Sequence, residues 1–454
     1  MSPSVAESAA GRGRGALPIY PRFADRAALE AHQLDALNAL LARLMDNPFY
    51  APRLRAAGLD AGATALADLR RLPTTDKADL VDDQRRHPPF GSNRSVPTSA
   101  FVRLHQTSGT SGRPLRWLDT AEDWTWMLRS WGEIFRAAGL TPGDRVFFPF
   151  SFGPFLAFWA AFDAASAYGC LAVPGGAMRS DARLAMMRAI GATAVCCTPT
   201  YALHLAEQMA ASADVQDHHH AVRTLIVAGE PGGCVPAVRQ RIAEGWSGPD
   251  AAADDAVRVI DHHGMTEVGP VSVADPARPD RLRLLEAAYL CEVIDPDDGA
   301  PIDAPGAIGE LVLTPLGRVG MPLVRYRTGD LVRFAAPLPD DGPERHLDGG
   351  ILSRVDDMLV VRGVNVYPAA VDRVVRATAG RAEYRVRVRR DGAMTEIAID
   401  VEASPQATAV EADALAGQVE AALRRAFNLR MPTRALPHAS LPRFEVKARR
   451  WRLA

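Results

Sequence analysis

Across residues 124–240 the chain alternates helical patterns with short, wholly apolar runs, such as 194–197 and 224–228. Strands buried on both faces read as unbroken apolar runs, and helices between them supply the crossovers that parallel pairing needs. The alternation predicts βαβ units and a largely parallel sheet. With 454 residues there is chain enough for two or three domains.

Other segments refine this. Leu34, Leu37, Leu41 and Leu44 recur at helical spacing and predict an amphipathic helix that Pro48 ends. Residues 101–106 predict a strand running into a glycine-rich loop. The most apolar stretch, VFFPFSFGPFLAFWAAF at 146–162, is broken by Pro149, Gly153 and Pro154. It predicts a strand, a loop and a helix rather than a membrane span. Residues 288–334 turn β-rich through YLCEVI, GELVLT and DLVRF. Beyond Asp356, EYRVRVRR and TEIAIDVE flank Asp391-Gly392, a hairpin signal, and a helix over 411–427 follows. That segment predicts a small α+β domain. Residues 1–20 carry no apolar signal segment and read as a disordered lead-in.

Composition narrows the function classes. The hydrophobic share is 48%, the charged share 23% and the net charge −2, with no basic excess for nucleic acid. The five cysteines are odd in number and none forms a CxxC pair. They read as reduced core thiols of a cytoplasmic protein. His218, His219 and His220 form one run, read as a solvated loop rather than a metal site.

Six short motifs carry the chemistry. TSGTSGRP at 107–114 combines hydroxyls at Thr107, Ser108, Thr110 and Ser111 with Gly109 and Gly112. Glycines let backbone N–H groups approach phosphate oxygens, and hydroxyls add donors. No Gly-Lys-Ser/Thr follows, so this is not a Walker loop. A polar surface turn is the plain alternative. AGEPGG at 228–233 follows the apolar run TLIV, where open α/β sheets place ligands. HHGMTE at 262–267 pairs the Thr266 hydroxyl with the Glu267 carboxylate. Were a phosphate bound beside it, such a carboxylate would need a cation between them, and Mg²⁺ prefers hard oxygen ligands. His262 and His263 could equally be hydrogen-bonded core residues. YRTGD at 326–330 ends on an acid, Asp330. SRVDDMLVVRGVN occupies 353–365, and LPRFEVKARR at 441–450 contains Lys447. Phe150, Phe152 and Phe155 cluster with other aromatics in and after one loop.

In this order the motifs resemble the adenylate-forming (AMP-binding) superfamily, most closely phenylacetate–CoA ligases and their relatives, over residues 34–447. The resemblance implies an α/β fold with a large N-terminal domain of mixed and parallel sheets at 21–355. That domain includes a β-rich subdomain. A small mobile α+β domain at 356–454 completes the chain. It implies ATP, Mg²⁺ and CoA as cofactors, with carrier-protein phosphopantetheine or an amine as the alternative acceptor. The substrate is then a small carboxylic acid, first an aryl or arylacetic one. An acyl carrier protein and a homodimer remain open as partners, and neither nucleic acid nor a membrane is implied.

The resemblance also assigns residues. Thr107, Ser108, Gly109, Thr110, Ser111 and Gly112 form the phosphate loop, although Arg113 stands where relatives often carry Lys. Gly229, Glu230 and Pro231 lie beside adenine. His263, Gly264 and Met265 lead into Thr266 at the α-phosphate and Glu267 on Mg²⁺, with His263 replacing an aromatic residue that packs on adenine. Asp330 takes the ribose hydroxyls and Arg354 the nucleotide. Asp356 is the hinge. Gly363, Val364 and Asn365 reach the site for thiol transfer, and Lys447 bridges carboxylate and α-phosphate during adenylation. Phe150, Phe152 and Phe155 line an aryl pocket. Ser353 and Val446 stand where relatives usually have Gly. A non-catalytic relative that kept the fold is the rival, and it would be expected to lose Glu267 or Lys447.

Overall fold

Asp25 accepts a hydrogen bond from the Ala28 N–H at 2.8 Å and so starts helix α1 (Arg26–Leu44). Leu37, Leu40, Leu41 and Leu44 bury its inner face. The helix closes at Leu44, ahead of Pro48, where the Asn47 side chain takes the N–H groups of Phe49 and Tyr50. The computed structural model describes residues 17–107, 114–211, 220–247, 256–355, 359–361, 364–380, 382–391, 394–442 and 450–453. Within the expected lead-in, Leu17 and Tyr20 are buried, and the Tyr20 hydroxyl donates to the Trp126 carbonyl at 3.2 Å. Two large apolar side chains hold residues 17–20 down; residues 1–16 lie outside the described residues.

Helices α2 (Ala51–Ala56) and α3 (Lys77–Arg86) lead to an antiparallel pair, β1 (Phe101–Gln106) and β2 (Arg116–Thr120). β1 matches the expected strand, and the phosphate-loop motif connects it to β2. Thr120 and Asp123 form a capping box that starts α4 (Ala121–Ala137). Then come β3 (Arg145–Phe148), α5 (Leu156–Tyr168), β4 (Leu171–Pro174), α6 (Ser180–Ala189), β5 (Ala194–Cys197), α7 (Pro199–Ala211), β6 (Thr224–Val227) and α8 (Pro236–Ser247). The strand, loop and helix expected over 146–162 are β3, its following loop and α5. Among the described residues no helix is long and apolar enough to cross a membrane.

Strands β7 (Arg258–Met265), β8 (Gly269–Asp275) and β9 (Arg278–Leu284) continue the chain. After them run β10 (Tyr289–Ile294), β11 (Ile308–Pro315), β12 (Tyr326–Arg333), β13 (His346–Asp348) and β14 (Ser353–Arg354). An eight-stranded sheet has the order β13-β9-β8-β7-β6-β5-β3-β4. It is parallel from β4 to β7, as the βαβ pattern requires, and antiparallel from β7 outward. β5 and β6 are buried at every position, which is why they read as unbroken apolar runs. The β-rich stretch forms a second sheet, β10-β11-β12-β14.

The C-terminal part contains β15 (Leu359–Val361), β16 (Val364–Val366), α9 (Pro368–Ala379), β17 (Tyr384–Asp391), β18 (Met394–Glu402), α10 (Ala409–Phe427), β19 (Thr433–Leu436) and β20 (Trp451–Leu453). β17 and β18 form the expected hairpin, with Asp391 opposite Met394. One apolar cluster, including Val361, Val375, Ile399 and Leu423, is drawn wholly from this part. The expected boundary at Asp356 falls on residues 356–358, outside the described residues. All five cysteines are buried and free, as the odd count suggested.

Candidate active site

The carboxyl edge of the parallel strands carries two of the motifs, where open α/β sheets leave a crevice. β6 ends at Val227 and hands the chain to Gly229 and Glu230. Gly229 has φ +90, the left-handed region that suits glycine. The Glu230 carboxylate accepts the Thr200 N–H at 2.7 Å, fixing this loop to the start of α7. Pro231 is exposed beside it.

β7 carries His262, His263, Gly264 and Met265 to the edge, and Thr266 and Glu267 form the turn that follows. The two histidines point to opposite sides of the strand, as alternation demands. His262 is buried and meets Trp131 edge-on at 4.6 Å. Burial pushes its imidazole down to about 3. Burial also pushes the neighbouring Asp261 up to about 6. His263 faces the site, with Nε2 2.9 Å from Asp330 Oδ2. Arg354 Nη1 stands 2.9 Å from the other oxygen of Asp330. β12 and β14 place Asp330 directly opposite Arg354, and the bare Cα of Gly329 leaves room for the guanidinium. Three motifs thus converge on one carboxylate that is 4% exposed.

Glu267 is also buried. Its Oε1 lies 3.0 Å from Lys77 Nζ, at the first position of α3, and accepts from the Tyr326 hydroxyl at 3.5 Å. Burial and Glu267 push the Tyr326 phenol well above its ordinary range. Arg318 anchors the turn from behind. Its Nε donates to Asp119 of β2 at 2.6 Å, and its Nη1 donates to the carbonyls of Thr266 and Glu267 at 2.8 Å each. It ties the strand leaving the phosphate loop to the turn bearing Glu267. Lys77, Arg318 and Tyr326 were not singled out in the sequence. Tyr326 opens the YRTGD motif, but no local pattern marks Lys77 or Arg318.

Thr107 closes the β1–β2 pair: its N–H donates to the Leu115 carbonyl and its hydroxyl accepts the Leu115 N–H, both at 3.0 Å. Ser108, Gly109, Thr110, Ser111 and Gly112 lie outside the described residues, as do Asp356, Gly363 and Lys447. Val364 and Asn365 belong to β16, opposite Val361 and Val360.

The aromatic loop is interlocked. Phe150 stacks on Phe158 at 4.2 Å, and Phe152 meets Trp159 at 4.7 Å and Phe162 at 5.3 Å. Phe155 is 38% exposed and stands 6.3 Å from Phe158. The Gln106 N–H donates to the Pro154 carbonyl at 2.8 Å, so this loop adjoins the mouth of the β1–β2 pair.

Neither site histidine belongs to a metal-ligand group among the described residues. The group found there is Asp275, Asp341 and His346, and the Arg278 guanidinium sits among its carboxylates at 2.9 Å and 2.6 Å. In the histidine run, His220 Nδ1 accepts the Val222 N–H at 3.2 Å; His218 and His219 lie outside the described residues.

A family model for "AMP-binding enzyme" matches residues 16–315, and one for "AMP-binding enzyme C-terminal domain" matches 363–452. The phenylacetate-coenzyme A ligase of Thermus thermophilus is 32% identical over 384 residues, covering 84% of this chain and 82% of that protein. That of Escherichia coli is 29% identical over 386 residues, 82% of each. Among solved structures, 2-hydroxyisobutyryl-CoA ligase in the postadenylation state with 2-HIB-AMP gives a TM-score of 0.86 at 27% identity, covering 95% of this chain and 91% of that one. The same ligase with 2-HIB-AMP and CoA in the thioesterification state gives 0.69 at 27% identity, covering 98% and 95%.

Proposed function

This chain belongs to the AMP-binding enzyme family, and from that premise we propose a course for its reaction and a role for each residue. It is an AMP-forming acid–CoA ligase that activates a carboxylic acid with ATP and passes the acyl group to the thiol of CoA. The acid is aryl or arylacetic. The phenylacetate ligases among its relatives and the aromatic loop of Phe150 and Phe152 support that choice.

The observation that carries the nucleotide assignment is Asp330, clamped between His263 and Arg354. Its carboxylate is oriented by two donors and retains lone pairs for the two ribose hydroxyls. The loop of Gly229, Glu230 and Pro231 and the face of His263 then border adenine, and Arg354 contacts the nucleotide. The backbone of 108–112 cradles the phosphates. Thr266 donates to the α-phosphate. Glu267 would hold Mg²⁺: its buried carboxylate already attracts a cation, the Lys77 ammonium. Held there, Mg²⁺ would neutralise phosphate charge.

In the first step the substrate carboxylate oxygen attacks the α-phosphorus and pyrophosphate leaves, giving an acyl-adenylate. Lys447 offsets the charge that develops between carboxylate and α-phosphate. The C-terminal part then rotates about Asp356, withdrawing Lys447 and bringing Gly363, Val364 and Asn365 to the site. The CoA thiol attacks the acyl carbon, and AMP departs. The higher TM-score against the postadenylation state, 0.86 against 0.69, supports assigning this structure to that side of the cycle. Arg113 keeps the positive charge that Lys supplies in relatives, with a different donor geometry. We place the reaction in the cytoplasm, a reading that the five free, buried cysteines support.

Pyrophosphate exchange across a panel of carboxylic acids tests activation, and addition of CoA tests the acceptor. Exchange with an arylacetic acid and thioester formation with CoA alone are expected. Adenylate without thioester would instead assign a carrier protein or an amine as acceptor.

A further inference from the structure

Arg183, on α6, is only 8% exposed, and no carboxylate pairs with it among the described residues. Its Nε donates to the Gly175 carbonyl at 2.8 Å and its Nη1 to the Tyr201 hydroxyl at 2.7 Å. Both partners are neutral, and Nη2 has no partner among the described residues. A buried guanidinium without a counter-ion is strongly unfavourable, so most buried charges are paired.

The neighbours form a polar chain. Tyr201 Oη accepts from Arg183 and lies 3.1 Å from Ser180 Oγ. Ser180 Oγ in turn lies 3.3 Å from His204 Nε2. Ser180 opens α6, and the Asp181 carboxylate beside it is taken up by the Ala182 N–H at 2.9 Å and by Arg179 at 3.1 Å. The Nη2 of Arg183 is the donor left over among the described residues.

The position matters as much. A Cβ on Gly176 would fall 3.0 Å from the Phe150 carbonyl oxygen, and the Ala177 N–H donates to Ser151 Oγ at 3.4 Å. Tyr201 follows Thr200, whose N–H is held by Glu230. The cluster is therefore joined through chain neighbours to both the aromatic loop and the loop assigned to adenine.

Resting on the ligase reading, we propose that Arg183 anchors an oxyanion site, with Ser180 and Tyr201 as its supports. The oxyanion is a second carboxylate carried by the acid, or the 3′-phosphate carried by CoA. Either places negative charge against Nη2, and no covalent step is involved.

The test compares the wild type with Arg183→Met and Arg183→Lys. One arm measures kcat/KM for adenylation of an arylacetic acid and of the same acid bearing a distal carboxylate. The other measures KM for CoA and for 3′-dephospho-CoA. The site predicts that Arg183→Met loses about tenfold or more in one arm only, the scale of a charge-assisted hydrogen bond. That loss falls on the ligand carrying the extra anion, and the counterpart lacking only that group is unchanged. Arg183→Lys, which keeps the charge, recovers part of it, and it serves alone if Arg183→Met does not fold. Loss in the carboxylate arm assigns the acid, and loss in the CoA arm assigns the phosphate. Equal losses for all ligands, or no discrimination in either arm, overturn the site while leaving the ligase reading intact. No turnover of any acid by the wild type overturns the ligase reading and the site with it.

Discussion

His263 Nε2 lies 2.9 Å from one oxygen of Asp330, on the far side of the carboxylate from Arg354. A histidine at a position expected to pack on adenine is thus also the partner of the acid proposed to hold ribose. The two should act on ATP as a unit. Asp330→Asn and His263→Phe should each raise the KM for ATP. The double variant should lose less than the sum, with a coupling of about 1 kcal/mol. Strictly additive effects in the double-mutant cycle would separate the two roles.

Lys77 and Glu267 give a prediction about magnesium. In the structure the ammonium occupies the cation side of Glu267. Lys77→Met should free the carboxylate and lower the Mg²⁺ concentration that half-saturates pyrophosphate exchange. Glu267→Gln should raise it. Magnesium titrations that coincide for all three proteins would remove Glu267 from the metal site.

His262 and Asp261 set a pH dependence of stability. The His262 pKa falls from an ordinary 6.5 to about 3 in the folded chain, through burial. Its contribution is fully present above pH 6.5 and is lost as pH falls toward 3, because the unfolded chain takes the proton first. Asp261 runs the other way. Burial raises it from 3.8 to about 6, so the folded chain takes the proton first and gains stability as pH falls from 6 to 3.8. The two oppose each other over most of that window. His262→Phe removes one side of the balance, and with it a buried Nδ1 that has no partner. Between pH 7 and 4 the variant should gain on the wild type by on the order of 3 kcal/mol. Urea unfolding at the two pH values measures this, and parallel pH profiles would contradict it.

The sequence made legible whatever depends on nearby residues. β1 is found at its expected bounds because turn chemistry follows it directly. β5 and β6 were visible because a strand buried on both faces must be apolar throughout. The antiparallel continuation β7-β8-β9-β13 was not, since pairing order leaves no local trace. The same limit applies to the site. Asp330 and His263 were each marked by motifs, but their contact spans 67 residues and no spacing encodes it. Lys77 is still less visible, as one charge on an ordinary polar helix whose meaning appears only when α3 reaches Glu267. Leu17 and Tyr20 read as part of the lead-in because two apolar residues make no pattern.

Lys447 and Gly363 should divide the reaction. Lys447→Ala should slow acyl-adenylate formation by about 10²–10³-fold, the scale for removing one preorganised donor. It should still convert supplied acyl-adenylate to thioester. A bulky residue at Gly363 should do the reverse, and Asp356→Pro should impede the change between states by fixing a hinge dihedral. Equal losses in both half-reactions for Lys447→Ala would point to general destabilisation.

The central claim is tested most directly by incubating the purified chain with ATP, Mg²⁺, CoA and a panel of aryl and arylacetic acids, and quantifying AMP and thioester together. AMP and acyl-CoA should appear in equal amounts, only with an accepted acid, and AMP release should need CoA beyond the first turnover. No AMP with any acid, or ADP in its place, would contradict the account.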